Sequence, residues 1–301
     1  MKAGWGMAAA ALVAGAPAAA QEVASADGSL RTVSLDAARP GSPSNATATV
    51  SPATVPQNME RMDDATGLTV SLGALYATGD FGTDADTSIT STALAVRYRV
   101  GDLRLSASLP WMRIRSDATI FTGIDSTPVL VAPGTNATRR TNDGFGDQTL
   151  GAAYTATAAR SGTEVELSGR LKLDTATRSS GLSSGEKDYA LGLQVTQPIG
   201  RVAPFASVTY RFLGDTRTFR LRDGAAASAG ASVMVGERSF ILASYHYSER
   251  ATRLVKDAHE LFAGASALVP NTRLRVTGFA TAGLSEGAAG FSGGLALSHA
   301  F

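Results

Sequence analysis

Cysteine is absent from the 301 residues. That removes disulfide bridges, thiolate metal sites and cysteine nucleophiles together. A charge excess is also missing, with 27 Lys and Arg against 26 Asp and Glu, so the basic footprint that nucleic acid requires is not there. No apolar run reaches the ~20 residues that a membrane-spanning helix needs. Aromatic residues are missing between Trp5 and Tyr76, which leaves that stretch with little to build a core from. Histidine is scarce as well: His246, His259 and His299 are the whole set, and none sits in a GxSxG or HExxH setting.

The chain opens with MKAGWGMAAAALVAGAPAAAQ. A positive charge at Lys2, an apolar stretch through Ala16 and the triplet Ala18, Ala19, Ala20 before Gln21 read as a Sec-type signal peptide over residues 1–20. Residues 21–66 are rich in Ala, Ser, Thr and Pro, as in ARPGSPSNATATVSPATVPQ, and are expected to form a flexible periplasmic leader. Within it, NMERMDDA has the makings of one helical turn or a small plug. The sequons at Asn45 and Asn136 are read as coincidences in a Thr-rich chain.

From Gly67 the texture becomes period-2 alternation broken by Gly, Pro, Asp and Ser. In EVELSGRLKLD, Val165, Leu167, Gly169, Leu171 and Leu173 oppose Glu164, Glu166, Ser168, Arg170, Lys172 and Asp174. LTVSLGALY, TALAVRYRV, LRLSASLPWMRIR, QTLGAAY, DYALGLQV, PFASVTYRF, AAASAGASVMV, SFILASYHY, ELFAGASALV, TRLRVTGFATAG and GFSGGLALSHAF bring the expected strands to twelve. Pro110 predicts a bulge with a change of parity after it, because proline removes a ladder donor. The connections alternate: long and polar ones such as the stretch from Ser116 to Asp143 and DTATRSSGLSSGEK, then short ones such as VGD, VGERS and VPNTR. That sorting predicts an all-β, transmembrane, antiparallel up-and-down β-barrel of about twelve strands over residues 67–301, with periplasmic termini. A soluble sandwich has no reason to sort its loops so.

Tyr76, Tyr98, Tyr154, Tyr189, Tyr210, Tyr245 and Tyr247 fall on the apolar parity of their strands, most near a strand end, and with Phe301 are expected at the membrane interface. The competing reading makes the tyrosines core residues of a soluble β protein. The chain stops on Phe301 in mid-alternation, which makes sense if the last strand closes on the first, since an open edge in lipid leaves backbone groups unsatisfied.

The stretches GFGDQTLGAAY and GRLKLDTATRSSGLSSGEKDYALGLQVTQPIGRVAPFASVTYRFLGD, with the terminal Phe301, resemble the bacterial outer-membrane barrel family labelled "meta-pathway of phenol degradation". The likeness covers Gly144 to Asp215 and the last strand. It implies an outer-membrane protein that passes small, aromatic solutes, and a terminal Phe similar to the signal read by the barrel-assembly machinery. The sequence departs from the family at Asp174, where members commonly carry Pro.

Inward parity collects Arg97, Arg99, Arg104, Arg113, Arg115, Arg170, Lys172, Arg211, Arg273 and Arg275 against Glu164, Glu166, Asp174 and Glu260. The expected result is a basic lumen that favours anionic or aromatic-acid solutes. Internal salt-bridging that fills a narrow barrel is the plainer reading, and a lumen packed shut stands beside an open one. Asp80, Asp84, Asp86, Asp143, Asp147 and Glu186 are expected at the outer rim, either around a divalent cation or as solvated charges and counter-ions to lipopolysaccharide-bridging metals. The expectation is therefore an outer-membrane channel, not an enzyme, with no cofactor. Its expected partners are outer-membrane lipid and lipopolysaccharide, the barrel-assembly machinery and a small solute, and not nucleic acid. Two alternatives are kept: a hydrolase using His246 beside Ser244 and Ser248, and an autotransporter-type translocator.

Overall fold

The computed structural model describes residues 67–80, 87–124, 128–132, 140–177, 180–215, 220–236 and 238–301. The expected signal peptide and leader, together with Asp84, Asp86, Asn45 and Asn136, lie outside the described residues. The strands are β1 (Gly67–Gly79), β2 (Thr87–Val100), β3 (Leu103–Ser116), β4 (Thr119–Thr122), β5 (Pro128–Ala132), β6 (Arg140–Phe145), β7 (Thr149–Thr157), β8 (Glu164–Lys172), β9 (Asp188–Thr196), β10 (Val202–Phe212), β11 (Gly224–Met234), β12 (Ser239–Ser248), β13 (Ala258–Leu268), β14 (Leu274–Gly283) and β15 (Phe291–Ala300).

These form a closed antiparallel up-and-down barrel of twelve staves, β6 and β7 together making one of them. Each stave pairs with its chain neighbours, and the ring closes where β15 returns to β1, from Thr69 opposite Ala300 to Thr78 opposite Phe291. The Phe301 N–H donates to the Leu68 carbonyl at 2.9 Å. The last residue is thus held in the wall, as expected of a closing strand. The stretch after Ser116, expected as one long loop, instead contains the separate β4–β5 hairpin and the half-stave β6.

The period-2 pattern decides which face each side chain takes, and the registers carry that parity unbroken around the ring. Leu72 opposes Leu94 and Leu297, and all three look outward. Leu72, Leu167, Leu191 and Leu295 are 58%, 62%, 58% and 66% exposed. Burying one such side chain is worth about 1.5–3 kcal/mol, so a belt of them around the barrel calls for a lipid environment. The other parity is enclosed: Ala77, Ile89, Met112 and Ala190 are at most 1% exposed.

The short connections gather at one end of the barrel, at 101–102, 158–163, 197–201, 235–238 and 269–273, and the long ones at the other. Gly101 and Gly200 turn the chain there at φ of 55° and 62°, in left-handed backbone that side-chain-bearing residues avoid.

A cation placed on the outward face should expose this arrangement. Leu295→Arg, near the middle of β15, is expected to destabilise the barrel by about 2–4 kcal/mol in lipid vesicles, measured by urea unfolding. An unchanged midpoint would mean that Leu295 does not face lipid.

Candidate functional site in the barrel lumen

The inner face is where sequence and fold bring charge together. Arg97 and Arg99 on β2, Arg104 on β3, Glu164, Glu166, Arg170 and Lys172 on β8, Arg211 on β10, Glu260 on β13 and Arg275 on β14 all take the inward parity. Four expected lumen residues do not. Arg113 and Arg115 stand on the outward face of β3, where the Arg113 guanidinium lies 5.5 Å from the Trp111 ring centroid and 3.9 Å from Asp143. Asp174 is exposed in the connection beyond β8, and Arg273 is exposed in the turn before β14.

The reason for the β3 misplacement is local. The bulge expected at Pro110 exists, but the extra residue is on the partner stave. Ser108 faces Thr149 and Trp111 faces Phe145, so three residues of the β6–β7 stave span what two residues of β3 span. Pro110 has no N–H to give, and its carbonyl takes the Gly146 N–H at 2.9 Å. β3 itself keeps its alternation, which sends Met112 and Ile114 inward, 0% and 3% exposed. The extra residue turns Asp147 into the lumen, where it is 2% exposed instead of standing on the rim.

Asp147 becomes an organiser there. Its Oδ1 accepts the backbone N–H groups of Thr175 and Ala176, its Oδ2 accepts the Ser183 hydroxyl, and Lys172 Nζ lies 3.0 Å from Oδ2. Lys172 also pairs with Asp188 at 3.3 Å and donates to Ser184. Carboxylates on both sides of one buried ammonium, plus three hydrogen bonds to the 173–187 connection, pin that connection to the break in the wall. Arg104 Nη2 meets Glu166 Oε1 at 2.9 Å, both nearly fully buried, and Thr155 donates to the other Glu166 oxygen. Arg211 donates to Ser248 and to the Glu249 carbonyl. Arg97, Arg99, Glu164 and Arg170 are engaged as well. Much of the expected basic lining therefore serves as ties across the wall.

Two apolar layers, which the parity argument did not foresee, share the interior with these charges. At the long-loop end, Leu75, Ile89, Met112 and Ile114 from β1–β3 pack with Ile120, Leu182, Val255 and Ala289, contributed by four different connections. Connections that start on opposite sides of the ring thus meet over the lumen and roof it. Nearer the short-turn end, Phe205, Phe240, Leu242 and Phe262 cluster with Met234 and Phe279. Phe262 stacks on Phe279 at 5.7 Å, and the Arg275 guanidinium lies 5.8 Å from the Phe240 centroid. The only advance signal was a phenylalanine on the polar parity of β10, β12, β13 and β14.

Between and beside these layers are two open spaces. One lies against β2, β3, β7 and β8, with Arg97, Arg104, Ser106, Thr149, Ser168 and Arg170 among its lining. The other lies against β10–β13.

All seven tyrosines are on the outward parity, six of them 39% to 53% exposed. Tyr76, Tyr189, Tyr210, Tyr245 and Tyr247 stand toward the long-loop end, and Tyr98, Tyr154 and Phe301 toward the short-turn end. Of the expected rim acids, Asp80 is exposed, Asp143 is half-exposed beside Arg113, and Glu186 is half-buried. No three acidic or histidine side chains converge among the described residues.

With this geometry in view, the fold can be compared with solved ones. An outer membrane channel from Pseudomonas putida F1 superposes with a TM-score of 0.61 at 13% identity, covering 79% of this chain and 96% of that one. The translocator domain of the autotransporter NalP from Neisseria meningitidis gives 0.50 at 11% identity, covering 81% and 92%. No family model and no curated protein matches the chain. The fold is that of outer-membrane barrels.

Removing one partner of the buried pair should be costly. Arg104→Met or Glu166→Leu alone is expected to destabilise the barrel by about 3–5 kcal/mol, and the double variant to recover most of it. Additive losses in urea unfolding would mean that the two groups do not act as a pair.

Proposed function

We propose that the protein is an outer-membrane channel, of the kind the family labelled "meta-pathway of phenol degradation" denotes, passing small anionic or aromatic-acid solutes. In this reading it is exported through the signal peptide over residues 1–20 and keeps both termini in the periplasm. It sits in outer-membrane lipid and lipopolysaccharide after assembly by the barrel-assembly machinery.

The observation that carries the proposal is the division of the lumen between arginines and phenyl rings. Arg275 lies over Phe240, and the stacked pair Phe262 and Phe279 belongs to the same apolar layer. The space beside Arg97, Arg104 and Arg170 opens on the polar wall. An aromatic acid has a face for the rings and a carboxylate for the guanidinium groups. The neighbour from Pseudomonas putida, itself named an outer membrane channel, is consistent with transport.

The hydrolase alternative has one observation in its favour. The Ser244 hydroxyl and His246 Nε2 lie 2.8 Å apart. Nucleophile and base must also be joined by a group that orients the base. Among the described residues no carboxylate is hydrogen-bonded to His246, although Glu260 stands opposite it in the register. A translocator must admit a polypeptide through its lumen, and here that space holds a roof and a phenylalanine layer.

In planar bilayers under a KCl gradient, the reversal potential is expected to show anion preference, and Arg97→Ser with Arg99→Ser to weaken it. Cation preference in the unaltered protein would sink the proposal. His246→Ala is expected to leave conductance intact, whereas a hydrolase would lose ester cleavage.

A further inference from the structure

The second lumen space has a composition that the proposed anion path does not explain. Ser207, Thr209, Ser228, His246, Ser248 and Glu260 supply its polar lining, and no lysine or arginine lines it among the described residues. Glu260 is 4% exposed. Its carboxylate accepts the backbone N–H of Ala289, a member of the loop roof, while Oε1 is buried without a hydrogen-bond partner. On the other side, the His246 ring lies 5.8 Å from Phe262, in the phenylalanine layer. The space is therefore a chamber between the two apolar layers.

A carboxylate oxygen enclosed in protein with nothing to bind carries a large desolvation penalty, and a neighbour that supplies both donors and positive charge removes it. The hydroxyls that share the chamber with it are acceptors as readily as donors, and those of Ser207 and Ser228, on β10 and β11, lie 2.7 Å apart. A divalent cation would ask for several carboxylates, and the chamber offers one. An anion would meet that carboxylate, and the neighbouring Arg211 guanidinium already donates to the Ser248 hydroxyl and the Glu249 carbonyl. A primary ammonium brings one positive charge and three N–H donors, matching one carboxylate oxygen and a set of hydroxyls.

We infer that the lumen holds a binding chamber for a primary ammonium group, with Glu260 as the anionic contact and the Ser228 and Ser207 hydroxyls as its neutral ones. The inference rests on the proposed transport reading only for its role. A solute that meets both the arginine-lined space and this chamber carries an acid and an amine, which narrows the proposed cargo to small amphoteric molecules.

The test is calorimetry on the full barrel, folded in detergent and checked by heat-modifiable electrophoretic mobility. Ethylammonium chloride is expected to bind saturably. Tetramethylammonium chloride, with the same charge and no N–H, and sorbitol, with hydroxyl donors and no charge, are expected not to. Glu260→Gln is expected to weaken ethylammonium binding roughly tenfold or more, as for loss of a charged hydrogen-bond partner. Ser228→Ala, a smaller change, should weaken it to a lesser degree and decides the matter if Glu260→Gln does not fold. Absence of ethylammonium binding, equal binding of sorbitol or tetramethylammonium, or affinity unchanged in the folded variants would overturn the inference. Bilayer conductance is scored separately: a barrel that binds ethylammonium but passes no current would retain the chamber and lose the channel.

Discussion

The structure depends on the pairing of β1 with β15. In hydrocarbon, an unpaired backbone N–H or C=O has no water to turn to, so a sheet in a membrane must close on itself. Ten register pairs from Thr69–Ala300 to Thr78–Phe291 join the two ends of the barrel, and Phe301 adds its own N–H to the Leu68 carbonyl. Once the ring is closed its parity is also locked, because sliding any stave by one residue would turn its leucines inward and its charges into lipid. That constraint makes the interior a consequence of the exterior. Every residue between two lipid-facing side chains has to be accommodated in the lumen, whatever its chemistry.

The lumen solves that problem with two kinds of filling. Arginine, lysine and carboxylates become ties between staves, as Arg104 does with Glu166 and Lys172 with Asp147 and Asp188. Small residues leave room where a ring needs it. A Cβ on Gly294 would lie 2.7 Å from the Phe279 ring and 2.6 Å from the Ala74 carbonyl, so glycine in β15 is what lets that phenyl group come so close to the wall. A polar tie and a covered glycine serve the same end: each settles an interior position that the sheet cannot flex to accommodate.

The barrel was legible in the sequence because its signal repeats. Alternation in strand after strand, long and short connections in turn, and tyrosines on the apolar parity all point the same way, and the structure has the same twelve staves. What parity could not supply is anything set by a single irregular residue. The donor missing at Pro110 was visible, but not which side of the ladder would carry the extra residue. Placing it on β3 put Arg113 and Arg115 in the lumen and left Asp147 on the rim. Short β4, β5 and β6 were hidden for a related reason. Each is shorter than a membrane strand, and the side of β6 that shares a face with Arg140 and Asn142 is as polar as the other. The apolar roof was illegible because its members come from connections far apart in sequence and meet only after the ring has closed.

That roof is held unequally. The 173–187 connection is fixed by Asp147, which spends both oxygens on its backbone and Ser183 while paired with the buried Lys172. The 249–257 and 284–290 connections are tied to the wall by the Arg211 guanidinium and the Ala225 N–H on Glu249 and by the Ala289 N–H on Glu260, and they are also tied to each other. Ser285 donates to the Asp257 carbonyl, the Lys256–Glu286 pair is more than half exposed, and Gly287 fits so closely that a Cβ would lie 2.4 Å from the Asp257 carbonyl. An exposed ion pair adds about 0–1 kcal/mol, whereas a buried charge that loses its partner costs several times that. Val255 and Ala289 therefore sit on two connections whose mutual ion pair is exposed, while Leu182 sits on one anchored through a buried ion pair. The apolar contact between them closes the roof, and Glu260, bonded to the Ala289 backbone, ties that side of it to β13.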